Sequence, residues 1–531
     1  PLLTIIWLIL ALVFPWLVMG ALGPNLERLW AWGVAHLPAL IQRWLQPGGM
    51  HLVIFAAFIL LGTPLLKAAR PRLDWRISLL LTALSYGLVY RAALFLPDIS
   101  TYPFSLGWSE ASRYYYASLY LSEPLYGLKA PLSVLHPTRY LLQAVPFLLP
   151  DSPLWLHRAW QVLLWLVTSG LTGWLVTRRA AANQPAPVRL ALIMGAILFL
   201  FQGPVYYHLL VMVIFVLWGF NRAYLWRILV VVLLASLWAG VSRVNWLPMP
   251  GLLAAAMYFL EVPYTRNNDF SRSRYLRYLL PPAAWTLLGT LTAWGIQQAY
   301  QAFSGNPAAY FGSSFSSDLL WYRLLPNPTY PLGILPSALL VSLPLLALMV
   351  LRLRHTWRNF PPLRLLGLGA ILLVLFTGGV IVSVKIGGGS NLHNLDAYLV
   401  MLLVIASYVL FNFKMDTQGI QEGKVNWGDD RATNRWLPWL VGLAAAIPLL
   451  FTVTAGSPWI RRDIQAAEAD LATLRQAAQQ IVDNGGELLL INQRHLLTFG
   501  ELPNIPLVPD YELVFLMEMA MAGNATYLED F

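Results

Sequence analysis

Residues 76–116 read RISLLLTALSYGLVYRAALFLPDISTYPFSLGWSEASRYYY. The part from 76 to 97 is apolar over a length that crosses a bilayer, since a transmembrane helix needs roughly 17–25 such residues. Directly after it the chain becomes polar and aromatic, and a loop over 98–152 precedes the next apolar run. Loops longer than about 12–15 residues are uncommon unless they are functional or disordered. This one is too rich in Tyr, Phe and Leu to be disordered. A span that opens into a large structured loop sets the expected fold: an all-α polytopic membrane protein with its polar chemistry at one membrane face.

Outward from that stretch the same reading repeats. Apolar runs lie near 2–22, 51–66, 153–177, 188–203, 205–220, 225–241, 247–262, 278–302, 331–352, 363–384, 393–413 and 436–455. The sequence therefore predicts about 13 transmembrane helices, in a range of roughly 11–14. The pair 188–203 and 205–220 is separated only by Gly203-Pro204, which reads as a tight hairpin or one broken helix. Composition agrees: 58% of the 531 residues are hydrophobic and 11% are charged, against about 25% charged in soluble domains. A soluble enzyme and a disordered chain are both excluded. Without cysteine there are no disulfides, thiolate metal sites or thiol nucleophiles.

The net charge of +10 is mostly topology. Six short loops hold Lys67, Arg70, Arg72, Arg76; Arg178, Arg179, Arg189; Arg222, Arg227; Arg266, Arg272, Arg274, Arg277; Arg352, Arg354, Arg358, Arg364; and Lys414, Lys424, Arg431, Arg435. All six fall on one side of the alternation, which the positive-inside rule makes cytoplasmic. Residues 98–152, 303–330, 385–392 and everything after 456 are then expected outside. A nucleic-acid partner is not implied.

Three parts follow from this. Residues 1–75 are an added pair of spans with an interfacial helix, ERLWAWGVAHLPALIQRWLQ (27–46), between them. Residues 76–455 form the main membrane domain. The tail 456–531 reads as a small extracytoplasmic α/β piece. It has an amphipathic helix over 459–484 ended by Gly485-Gly486, a buried strand ELLLIN (487–492) and a second helix YELVFLMEMAMAG (511–523). The tail is also a candidate surface for protein partners.

The loop 98–152 holds the leading candidate residues. Section 109–121 reads as an amphipathic helix in which Glu110, Arg113, Tyr114 and Ala117 share a face. A carboxylate there has its proton affinity raised by burial unless a cation compensates, which is what a general base needs; the plain alternative is a Glu110–Arg113 pair on an interfacial helix. Further outward charges lie at span ends: Arg243 in SRVNW, Asp318 and Arg323 in SSFSSDLLWYRLLPNP, and Lys385 opening KIGGGSNLHNLD. Cations at the membrane surface can neutralise a lipid phosphate, and Gly387, Gly388 and Gly389 would let backbone amides approach an anion. His393 and Asp396 have ligand-like spacing, but two residues do not make a metal site, and no metal or other cofactor is expected. Within the spans Arg91 and Arg158 are the main charges, and this scarcity counts against a proton-coupled carrier.

Three segments taken together resemble the GT-C superfamily of polytopic glycosyltransferases, the protein mannosyltransferases and their bacterial relatives. WSEASRYYYA is similar to that family's acidic loop motif, with Glu110 in the acidic place and Tyr114 four residues on. LHPTRYLLQAVPFL is similar to its following helix, through His136, Pro137 and Tyr140, and KIGGGSNLHNL to a glycine-rich segment before a late span, through Lys385, Gly387, Gly388 and Asn391. The resemblance covers residues 76–455. Ser109 departs from it, standing where many members have Asp, so Asp98 is the candidate for a second acid. The resemblance implies inverting transfer of a sugar from a polyprenyl-phosphate donor to an acceptor on the extracytoplasmic face of a bacterial inner membrane. Glu110 would be the base, assisted by Asp98. Arg243, Lys385, Arg323, His136, Tyr114 and Asn391 would bind substrate and lipid phosphate. Two other classes compete: a non-catalytic scaffold subunit of the same architecture, and a transporter or flippase of lipid-linked substrates.

Overall fold

The computed structural model describes residues 1–531 except 20–22, 37–48, 108, 265–271, 307–310, 312–318, 355–361, 386–390, 412–430, 456–461, 487, 489, 491, 503–504 and 506–531. The described residues are helical, with no strand among them. Among the described residues seven helices are long and apolar enough to cross a membrane, and shorter apolar helices accompany them. Large side chains on their outer faces are bare, including Leu60, Trp226, Leu280, Leu366 and Leu373. A surface of that kind is explained by lipid rather than water.

The chain opens with α1 (Leu2–Met19), α2 (Gly23–Ala35), α3 (Gly49–Ala69) and α4 (Trp75–Ala93). The loop carries α5 (Glu110–Ser118), α6 (Ser122–Tyr126) and α7 (Pro137–Gln143). The main bundle follows: α8 (Leu154–Ala180), α9 (Ala186–Gln202), α10 (Tyr207–Gly219), α11 (Leu225–Gly240), α12 (Met249–Glu261) and α13 (Arg272–Phe303). It is completed by α14 (Ile334–Leu353), α15 (Pro362–Lys385), α16 (Asp396–Phe411) and α17 (Arg431–Val453). The tail holds α18 (Ile464–Asp483) and α19 (His495–Thr498). A break at Gly203-Pro204 separates α9 from α10, and both pack on α8.

Two packed layers position the site. In the main one α16 is the central helix, buried along nearly its whole span because apolar residues occupy every face. Around it α8, α10, α11, α12 and α15 share one core. Their approach is close enough that a Cβ on Gly251 would stand 2.5 Å from the Thr286 Cα on α13; small residues permit such contact in membrane helices. The second layer joins α1, α3 and α4 to α9 and α17 through Phe14, Phe55, Tyr86, Tyr90, Met194 and Leu449. The added N-terminal spans thus pack directly on the main domain.

Of the strand expected in the tail over 487–492, residues 487, 489 and 491 lie outside the described residues, and Leu488 and Leu490 pack on α18 and Leu496. The tail is also docked on the loop rather than separate. Gln493 Nε2 donates to Ser105 Oγ at 2.8 Å, His495 Nε2 meets the Pro103 carbonyl at 2.8 Å, and Phe499 packs edge-on against Tyr114. On α18 itself Leu471 and Ala478 are buried as the periodicity predicts, whereas Ile464 and Ile481 are 45% and 39% exposed. Gly485 ends the helix at φ +73°. The helix expected at 511–523 and much of the interfacial helix at 27–46 lie outside the described residues.

Candidate functional site

Glu110 opens α5 and is 4% exposed. Its partner is Arg158 of α8, whose Nε donates to Oε1 at 3.0 Å, rather than Arg113 of its own helix. The backbone amide of Leu106 donates to Oε2. Arg158 also donates to the carbonyls of Ser100, Tyr102 and Phe104 at 2.6, 2.8 and 3.0 Å. One guanidinium therefore closes the carboxylate and shapes the loop 100–106. Burial raises the Glu110 pKa, but Arg158, then Arg113 and the hydrogen bonds outweigh it, so the carboxyl titrates below its ordinary value. The compensating cation that sequence left open is present, in the span charge Arg158.

Arg113, released from Glu110, turns the other way. Its Nη2 donates to Ser109 Oγ at 2.5 Å, and Nη1 donates to Gln161 Oε1. Arg139 of α7, 6% exposed, donates to the same Ser109 Oγ at 3.2 Å. Neither arginine makes an ion pair among the described residues. The Nε of each is buried with no hydrogen-bond partner there. Two guanidiniums thus converge on a neutral hydroxyl, at the position where the resembled family carries a carboxylate.

Arg243 completes the group. It donates to Asp396 Oδ2 at 2.8 Å, to the His393 carbonyl at 3.2 Å and to Asn394 Oδ1 at 3.3 Å. Asp396, at the N-terminus of α16, is fully buried, and its other oxygen accepts from Trp246 Nε1 at 2.7 Å. Tyr206 sits between the arginines: Arg139 Cζ lies 4.7 Å and Arg243 Cζ 5.6 Å from its ring centre. His136, His208 and His393 line the same place, with ring centres 6.0 Å apart for the first two and 6.3 Å between Tyr206 and His393. His208 is 1% exposed and neither ring nitrogen has a partner among the described residues. Burial, together with Arg243 and Arg139, holds the His136 pKa well below its ordinary value, so that ring stays neutral. His136 also adopts a left-handed backbone, φ +53°, as it turns the chain into α7. Residues other than glycine rarely take that conformation.

The remaining candidates are dispersed around this centre. Arg323 is 5% exposed and close enough to His393 to act on its charge. Asn391 Oδ1 accepts from the His393 amide at 2.9 Å and so orients that histidine's turn. Tyr114 is buried against His157 and Phe499, behind the arginines. Lys385 ends α15, and the glycines that follow it lie outside the described residues. Asp98 is partly exposed and paired with Arg462 of the tail at 3.2 Å. Among the described residues no three His, Asp or Glu side chains gather as a metal site.

Sequence reading missed Arg139, Tyr206 and His208. Arg139 lies inside the quoted LHPTRY, and a signal was available: a second cation one turn into a helix that faces Ser109. His208 had the weaker signal of a histidine at the start of an otherwise apolar span. Chemically the centre and its edge present Arg113, Arg139, Arg158 and Arg243 against two carboxylates, Glu110 and Asp396, in a largely buried place. Such an excess calls for an anion. Guanidiniums in this number suit the several oxygens of a phosphate. No family model, curated protein or solved structure matches the chain; the GT-C resemblance stands on its three motifs.

Proposed function

We propose that the chain is a GT-C-like membrane protein that holds the phosphate of a polyprenyl-phosphate-linked sugar at Arg113, Arg139 and Arg243 and transfers the sugar to an acceptor. The carrying observation is that Arg113 and Arg139 meet on Ser109 with no carboxylate between them. In this reading about thirteen spans sit in a bacterial inner membrane, with the loop and tail on the extracytoplasmic side. An acceptor hydroxyl attacks the anomeric carbon opposite the phosphate. The carbon–oxygen bond to phosphate breaks, and its electron pair stays on the departing polyprenyl phosphate, where the arginines stabilise it. The acceptor proton passes to Glu110, the carboxylate nearest Arg113 along α5, with His136 and Tyr206 shaping the donor site.

One observation favours a second reading. Glu110 is closed by Arg158 and Leu106, and a carboxylate with lowered proton affinity is a poor general base. A non-catalytic subunit that only binds the lipid phosphate needs no such base. A flippase has less support, because α16 between Asp396 and Tyr408 is a nearly unbroken run of apolar residues.

The test is binding and release with a radiolabelled polyprenyl-phosphate hexose in reconstituted membranes. Transfer or donor cleavage by the native chain, lost in Glu110→Gln with binding retained, supports the enzyme. Tight binding with no release in either form supports the scaffold. If the native chain and Arg139→Ala bind the donor equally, the phosphate site itself is wrong.

A further inference from the structure

The ends of α4, α9 and α17 nearest the loop enclose another cavity, of about 520 Å³, that the site above does not use. Arg91, from the last turn of α4, lines it with its guanidinium beside the adjoining rings of Phe95 and Phe201, 4.7 and 4.6 Å from their centres. Its Nε is buried without a hydrogen-bond partner, and it makes no ion pair among the described residues. The carboxylate whose charge reaches it, Asp98, is already engaged by Arg462 at 3.2 Å. Gln202, at the end of α9, lines the same cavity at 7% exposure, and neither its amide oxygen nor its nitrogen has a partner among the described residues. Among those residues no Asp or Glu lines the space; its other walls include Phe451, Leu392 and Thr452.

Buried polar groups of this kind are rarely left without partners, and here a cation and a complete amide are left together. A ligand that satisfies both carries an oxyanion for Arg91 and for the Gln202 NH2, and a hydroxyl for the Gln202 carbonyl. Aromatic and leucine walls at the level of the helix ends suit the part of a lipid just below its headgroup. We propose that this cavity binds the phosphate headgroup of an anionic membrane lipid, as a site separate from the Arg113–Arg139–Arg243 centre. The two share one wall: Asn391 lines the cavity and orients His393, whose ring meets Tyr206. The proposal does not depend on glycosyl transfer.

The experiment uses the full chain, purified in detergent and stripped of lipid. Phosphatidylglycerol, diacylglycerol and inorganic phosphate are each added, and bound lipid is counted by native mass spectrometry. Phosphatidylglycerol is expected to bind and diacylglycerol to fail. Arg91→Gln should weaken phosphatidylglycerol binding about tenfold, and Gln202→Leu about threefold. Arg139→Ala should leave this binding unchanged, which separates it from the other centre. Competition by millimolar inorganic phosphate would overturn a lipid ligand in favour of a free anion. Should Arg91→Gln fold poorly, Gln202→Leu decides alone, since it leaves Arg91 in place. Wild-type retention of phosphatidylglycerol by the folded variants would overturn the site.

Discussion

The two ends of α16 carry two sets of buried and half-buried arginines that are satisfied in different ways. Asp396 and Tyr408 mark those ends and are separated by about 18 Å at 1.5 Å per residue. At the Tyr408 end, Arg364 donates to the carbonyls of Phe259 and Leu260 at the close of α12. Arg179 donates to the carbonyls of Leu217 and Phe220 at the close of α10 and pairs with Glu261 at 2.9 Å. Glu261 also accepts from Tyr408. These cations cap helix C-termini, where orphan carbonyls and the helix dipole favour positive charge. At the Asp396 end Arg243 has a carboxylate, while Arg113 and Arg139 share a hydroxyl. The first set caps helix ends. In the second, Arg113 and Arg139 make no ion pair among the described residues.

The sharpest way to break this contrast is to remove one member of each set. Arg364→Met leaves two helix-end carbonyls without donors and should cost about 3 kcal/mol. Arg139→Met removes a repelling charge and should change stability by less than about 1 kcal/mol, while donor binding is lost. Unfolding in detergent followed by tryptophan fluorescence measures both; equal losses would erase the distinction.

Next in size is Ser109→Asp, which places a carboxylate between Arg113 and Arg139. It should stabilise the ligand-free chain by about 2 kcal/mol and lower phosphate-lipid affinity about tenfold. A variant that gained stability yet bound as before would show that the arginines do not receive the ligand.

Acid tests the Glu110–Arg158 closure. The Glu110 carboxyl titrates lower in the folded chain than its ordinary value of 4.5. Its contribution to stability is therefore complete above that value and is lost as pH falls through the depressed folded one. The native chain should lose stability along this limb, and Glu110→Gln should flatten it. An unchanged acid limb would mean the pair is not what holds loop 100–106. The smallest effect is expected for Glu261→Gln, about 1 kcal/mol, because Arg179 keeps its carbonyl partners and the pair is partly exposed.

The candidate site was legible in its pieces and not in its pairings. WSEASRYYYA pointed to Glu110 and Arg113, and both lie in the centre, but their expected mutual pair is replaced by Arg158. That arginine was visible as a charge inside a span, a costly position that needs a partner. Asp396 was noticed beside His393 for metal-like spacing, whereas it serves Arg243 and Trp246.

Sequence by itself determined where apolar runs begin and end and that polar residues gather at their ends. Those are local properties, fixed by the cost of placing each side chain in lipid or water. Only tertiary structure decided which charges meet. Arg243 and Asp396 are 153 residues apart along the chain, and Arg113 and Arg139 come together only because α5 and α7 fold onto the bundle. Burial then makes the outcome consequential: a cation left beside a hydroxyl is tolerable in water, and in the interior it asks for an anion.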